Sequence, residues 1–233
     1  MKFARLGPSG QEKPAALVHD RYVDLSTIVR DLTATAINEI LSSRPDLDDL
    51  PSLTTDRFGP PLVGVGKIVC VGLNYREHAE ESQMQASSNP PLFLKAADTI
   101  IGPHDPVMIP PGSTATDYEV ELALVIGKTA RYLSADDDPL DHVAGVTISN
   151  DVSERHFQLE RGGQWDQGKN CETFNPLGPP LATTDEIDLE NIELTCRVNG
   201  EIRQQASTSQ MILPVPALIR YVTQFMPLYP VTS

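Results

Sequence analysis

The sequence predicts a mixed, β-rich (α+β) fold. Twenty prolines and fifteen glycines divide the 233 residues into short segments joined by many loops. Apolar runs are short and bounded by turn residues, as strands are, whereas helical spacing is sustained only near residues 35–43 and 215–226. A hydrophobic share of 40% at this length is enough for one large domain, or a main domain preceded by a small one, without covalent staples.

Taken in order, strands are expected at residues 2–6, 15–19 and 21–25, followed by a helix over 35–43. The Pro-, Asp- and Gly-rich stretch RPDLDDLPSLTTDRFGPPLVGVG then reads as a linker. It places a boundary near Val63, between a small N-terminal subdomain (residues 1–63) and a main region (64–233). The main region offers strands at 67–71, 91–94, 118–126, 143–150 and 192–198. Asn199-Gly200 supplies a hairpin turn, because both residues tolerate positive φ. Val215, Leu218, Ile219, Val222, Phe225 and Met226 recur at helical spacing around Pro216, a residue welcome in a first helical turn.

Eighteen basic against 32 acidic residues leave a formal charge of −14, which repels phosphate backbones and anionic membrane surfaces. Nucleic acid and membrane are therefore not expected partners. Cys70, Cys171 and Cys196 are odd in number and far apart, and the start MKFARLGPSG has no apolar signal core. The chain reads as cytoplasmic and reduced, with no apolar run near the roughly 20 residues that span a bilayer. Cys70 is expected in the core.

The stretch TATDYEVELALVIGK sets Asp117, Glu119 and Glu121 at alternate positions of an apolar run. In an extended strand they share one face, while Tyr118, Val120, Leu122 and Leu124 share the other. This fits an edge strand with a wet acidic face. It also fits a metal site, because the acidic face continues through Ala123 and Val125 and buried carboxylates need a neutralising partner. Oxygen ligands favour Mg²⁺, Mn²⁺ or Ca²⁺. In AGVTISNDVSERHFQ an apolar strand runs into Asp151, which serves equally as a third oxygen ligand or as a helix N-cap with Glu154 closing a capping box. Arg155 and Gln158 fall on one helical face beyond it, suited to a substrate carboxylate. In CVGLNYREHAEES, Asn74 can cap a short helix with Glu77, and His78 and Glu81 are helical neighbours in the arrangement that orients a general base.

The segments GLNYREHAEES, LFLK, IGP, DYEVELALVIGK, NDVSER and QWDQGKNCETFNPLGP, in this order and at these separations, resemble the fumarylacetoacetate hydrolase (FAH) superfamily over most of residues 64–226. The wording is similar to the bacterial branch that cleaves 2,4-diketo-3-deoxy sugar acids and is often labelled ureidoglycolate lyase. The resemblance implies an FAH-type β-roll or sandwich core, a homodimer, and Mg²⁺ or Mn²⁺ bound by Glu119, Glu121 and Asp151. It further implies a His78–Glu81 catalytic dyad on a lid, with Lys169, Arg155 and Gln158 approaching a small 2-oxo acid substrate. Asp117 only shapes the strand in this pattern, and Cys171 is not needed as a nucleophile. The implied reaction is metal-assisted carbon–carbon hydrolysis of a 2,4-diketo acid to pyruvate and a second carboxylic acid. Relatives decarboxylate or isomerise 2-oxo diacids on the same platform.

Family members continue past the LIRYVTQFM helix into a strand and a Thr-Gly-Thr-Pro loop that touches the substrate carboxylate, whereas this sequence reads PLYPVTS. The resemblance then implies an unpaired strand edge or an apolar strip. It also opens a second reading, a catalytically impaired FAH-fold dimer. A generic acidic metal-binding module is a third.

Overall fold

A computed structural model of the chain describes residues 1–75 and 89–230. The strands are β1 (Lys2–Leu6), β2 (Lys13–Val18), β3 (Arg21–Asp24), β4 (Ile68–Val71), β5 (Leu92–Lys95), β6 (Ile100–Ile101) and β7 (Thr116–Asp117). They continue with β8 (Val120–Ile126), β9 (Val143–Asn150), β10 (Ser153–Glu154), β11 (Asn175–Pro176), β12 (Leu181–Ala182), β13 (Glu193–Val198) and β14 (Glu201–Ser207). The described α-helices are α1 (Ala34–Ser43), α2 (Arg155–Leu159), α3 (Asp166–Lys169) and α4 (Val215–Thr223). Short helices among many strands match the β-rich expectation. No helix among the described residues is long and apolar enough to cross a membrane.

The main sheet has the order β3-β2-β1-β12-β9-β8, so the first three strands are hydrogen-bonded into the same sheet as the acidic strand. Its core is shared in the same way. Phe3, Leu25 and Ile37 from the N-terminal stretch pack in one cluster with Val125, Ala144, Leu177 and Leu181. Helix α1 closes that cluster because Ala34, Ala36, Ile37 and Ile40 are buried along one face, with the Thr33 side chain accepting from the Ala36 N–H at 3.0 Å as N-cap. A second cluster sets Val215 and Ile219 of α4 against Val143 and Val146 of β9.

The long antiparallel ladder of β8 and β9 opposes Glu121 to Ser149, Ala123 to Thr147 and Val125 to Gly145. The expected strand over 118–126 is interrupted. Thr116–Asp117 pairs instead with Ser153–Glu154, and the Glu119 N–H turns to the Asn150 side chain at 3.1 Å. Among the described residues β8 is the outermost strand of its sheet, and the Gln204 side chain caps its first N–H at 2.9 Å. Asn199 and Gly200, with φ of 53° and 84°, make the β13–β14 turn that the sequence predicts.

Arg57 ties the N-terminal region to the strands that carry the site. Its guanidinium grips Asp105 through two bonds of 2.9 and 2.6 Å, donates to Glu12 at 2.7 Å and to the Gly7 carbonyl at 2.9 Å. Asp105 in turn accepts from the Gly102 N–H at 2.9 Å, immediately after β6, and β6 runs parallel to β11. Arg57→Ala is expected to cost roughly 2 kcal/mol of stability, because it strands two partly buried carboxylates; the urea midpoint measures this. Arg57 holds Asp105 below the usual carboxylate range. That contribution is complete above about pH 4 and is lost as pH falls through the depressed value, so the wild-type and variant stabilities should converge in strong acid.

Candidate active site

Five separate elements converge where β8 begins and β9 ends. Glu119 stands just before β8 and Glu121 within it; Asp151 follows β9, and its N–H donates to the Glu119 carbonyl at 2.8 Å. Lys169, at the last turn of α3, donates to Glu119 Oε2 at 2.5 Å and to Asp151 Oδ2 at 2.7 Å. Lys95, the last residue of β5, donates to Asp151 Oδ1 at 2.6 Å and to the Val152 carbonyl at 3.1 Å. Arg155 opens α2 and donates to Glu119 Oε1 at 2.6 Å, to Asp117 Oδ2 at 3.1 and 2.9 Å, and to Gln158 Oε1 at 3.0 Å. Both lysines are only 2% exposed. Four carboxylates therefore face three cations.

Burial alone would raise the Asp151 carboxyl, but Lys169 and Lys95 outweigh it and hold the group below the ordinary carboxylate range. Burial depresses Lys95, with Asp151 opposing. Burial likewise works against the Arg155 charge, yet Glu119 and Asp117 keep that guanidinium above its usual value. Glu121 has less support. Its carboxylate makes no hydrogen bond among the described residues, so burial, together with Glu119 and Asp151, outweighs the pull of Lys169 and pushes it up to about 8.

These side chains line a cleft of about 680 Å³ that also takes in Cys70, Gly72, Tyr75, Phe93, Trp165 and Asn175. Lys169 lies under the Phe93 ring, 4.9 Å from its centroid, and Trp165 meets Phe93 edge-on at 5.5 Å. A Cβ on Gly72 would come within 2.8 Å of the Trp165 ring, so glycine is what lets the indole reach the cleft.

Glu119, Glu121, Asp151, Lys169, Arg155 and Gln158 are thus brought together, whereas His78 and Glu81 lie outside the described residues. No group of three metal-ligating side chains is gathered closely enough to hold an ion among the described residues. Glu119 and Asp151 instead converge on the Lys169 ammonium, at 2.5 and 2.7 Å. The donor set nonetheless fits a hard cation: three oxygen donors lie on adjoining strand ends, and Glu121 is a buried carboxylate without a cation of its own.

Several roles differ from the sequence reading. Asp151 is not an N-cap: Glu154 caps α2 itself, accepting from the His156 N–H at 3.3 Å, and also binds Ser113, Thr116 and the Ala115 N–H. The Asn74 side chain clasps the N–H and carbonyl of Leu213, both at 2.9 Å, and the short helix it was expected to cap lies outside the described residues. Asp117 does more than shape the strand, because it holds Arg155 against Glu119. Cys70 lines the cleft rather than the apolar core, its thiol pushed up by burial and by Asp151. Burial also raises the Cys171 thiol, the reverse of what a nucleophilic cysteine requires. Lys95 and Tyr75 are additions. The signal for Lys95 was a cation ending the apolar run LFLK.

Residues 67–232 match the family described as fumarylacetoacetate (FAA) hydrolase C-terminal. The 2,4-didehydro-3-deoxy-L-rhamnonate hydrolase of Sphingomonas sp. (strain SKA58) is 44% identical over 99% of this chain and 81% of its own length. Among solved structures, the fumarylacetoacetate hydrolase of Exiguobacterium antarcticum superposes with a TM-score of 0.84 at 32% identity, covering 99% of this chain and 86% of that one. The 2-hydroxyhepta-2,4-diene-1,7-dioate isomerase of Mycobacterium marinum superposes with a TM-score of 0.77 at 30% identity, covering 99% and 84%.

The orphaned Glu121 sets a pH dependence. Its folded value, about 8, lies above the ordinary 4.5, so the stability of the cation-free protein is full below about pH 4.5 and falls as pH rises through 8. Thermal unfolding in EDTA should show that decline. Millimolar Mn²⁺ should raise Tm more at pH 8 than at pH 5, and Glu121→Gln should flatten both trends.

Proposed function

The chain belongs to the fumarylacetoacetate hydrolase family of enzymes, and from that premise we propose that it hydrolyses a carbon–carbon bond of a 2,4-diketo acid of the 3-deoxy sugar acid kind. The products are pyruvate and a second carboxylic acid. The observation that carries this reading is the buried Lys169 ammonium shared by Glu119 and Asp151, with Arg155 on the far side of Glu119. The 44% identical rhamnonate hydrolase supports the substrate class.

The balance of the reaction assigns work to this chain's residues. Water adds through its oxygen to the carbonyl carbon remote from the carboxylate and gives up a proton to a base. The bond between that carbon and the neighbouring methylene then breaks, and its electron pair passes to the 2-oxo acid fragment as an enolate, which takes a proton to become pyruvate. His78, with Glu81 as the partner the resemblance implies, would serve as the base and later the acid. Lys169 and Arg155 hold positive charge where the enolate develops, in a partly dry cleft where such charge counts for more than in water. Arg155 is held in place for this by Asp117 and Gln158. Glu119, Glu121 and Asp151 would hold a Mg²⁺ or Mn²⁺ ion, which would supply Lewis acidity to the reaction.

The likeness to a 2-oxo diacid isomerase favours a second reading, proton transfer without hydrolysis. Pyruvate release from acetylpyruvate and a 2,4-diketo-3-deoxy sugar acid, with Mg²⁺ or Mn²⁺ and again with EDTA, separates the two. Metal-dependent pyruvate is expected, and Glu119→Gln should reduce it by at least about a hundredfold with the fold intact. Turnover of unsaturated 2-oxo diacids without pyruvate from either diketo acid would favour the isomerase.

A further inference from the structure

The two peptide groups that flank the Glu119 α-carbon offer four polar groups, and each has a partner. The end of β9 supplies two: the Glu119 N–H donates to Asn150 Oδ1 at 3.1 Å, and the Glu119 carbonyl accepts from the Asp151 N–H at 2.8 Å. One side chain takes both of the others. Gln204 Oε1 accepts from the Val120 N–H at 2.9 Å, and Gln204 Nε2 donates to the Tyr118 carbonyl at 3.3 Å. Gln204 comes from β14, which forms a separate two-stranded sheet with β13. Its neighbours Ile202, Arg203 and Gln205 are exposed, whereas Gln204 is half-buried. An amide suits this place because its oxygen accepts while its nitrogen donates, so it substitutes for a residue of a paired strand.

The consequence falls on Glu119. Peptide groups are planar, so holding the one on each side fixes the two dihedral angles between them and with these the direction of the side chain. That side chain carries its carboxylate to Arg155 and Lys169, at 2.6 and 2.5 Å. We propose that Gln204 is a positioning residue for the cation site: it sets the direction in which Glu119 presents its carboxylate, and thereby how tightly the site binds a divalent cation. This rests on the reading of Glu119 as a cation ligand. A side chain that only covered an unpaired strand end would stabilise the fold and leave cation binding unchanged.

Gln204→Met keeps the length of the side chain and removes both bonds. Calorimetric titration of the full chain with Mn²⁺ should show affinity about 10- to 100-fold below wild type, as for other groups that orient a metal ligand. Thr208→Val removes a different bond of the same hairpin, in which the Thr208 hydroxyl accepts from the Ile192 N–H at 2.8 Å. It should lower Tm without weakening Mn²⁺ binding. A loss of less than about tenfold in Gln204→Met overturns the proposal. So does an equal loss in both variants, since loosening of the hairpin then accounts for it. If Gln204→Met is too unstable to titrate, Gln204→Asn replaces it, because the shorter amide cannot reach both partners, and the same outcomes decide. A wild type that binds Mn²⁺ but cleaves no diketo acid defeats the hydrolase reading alone. A wild type that binds no Mn²⁺ defeats the metal reading and this proposal with it.

Discussion

The site depends on one ammonium group. Lys169 is contributed by a short helix, Glu119 by the approach to β8 and Asp151 by the exit from β9, and its two bonds of 2.5 and 2.7 Å hold these elements in register. A lysine buried to this degree is costly unless its charge is matched, and so are the two carboxylates it touches. Each is tolerated because the others are present. Lys95 and Arg155 extend the same logic outward, Lys95 to the second oxygen of Asp151 and Arg155 to the second oxygen of Glu119. Of the four carboxylates, Glu121 is the one that no cation hydrogen-bonds, so a bound cation there would complete the set.

Such a cluster holds its geometry only if its strands are rigid, and the sheet supplies this from far along the chain. β1 pairs with β12 and β12 with β9, so the strand that ends at Asp151 is braced by the first residues of the protein. A second brace runs from Arg57 through Asp105 to the start of the β6–β11 pair, where Asn175 meets Ser149 beside Glu121. The N-terminal region thus supports the cleft wall without contributing a charged group to it.

How much of this was legible in sequence follows from the range of the forces involved. β1 and β9 fall where their apolar runs predict, and the Asn199-Gly200 turn forms as its backbone preferences require, because these signals are local. The ligand-like acids were legible as a group through their alternation. The break at Tyr118 was not, since it arises from a two-residue pairing of Thr116–Asp117 with Ser153–Glu154 across the chain. The Asn74 side chain clasps a backbone 139 residues away, a contact that no local spacing signals. Asp151 does not take the capping role its spacing allowed: capping is a short-range option, and two lysines from a distant strand and helix hold Asp151 while Glu154 caps α2. Lys95 ends an apolar strand, where a lysine ordinarily reaches water; only the tertiary arrangement turns it inward.

The paired faces of β8 and β9 also grade in chemistry along their length. Glu119 lies beside Asp151, then Glu121 opposite Ser149, then Ala123 opposite Thr147, then Val125 opposite Gly145. A bound molecule therefore meets fixed charge at one end, hydrogen-bonding groups in the middle and apolar side chains beyond. Polar groups buried along such a face favour a ligand that presents oxygen atoms in matching order and reject one that leaves them unpaired. An acid whose carboxylate and keto oxygens are adjacent, followed by a more distant carbonyl, has that order. Reversed in the cleft, such an acid would set its charged head against Val125 and leave Lys169 facing the tail, so the grading favours one orientation for a ligand of the proposed class.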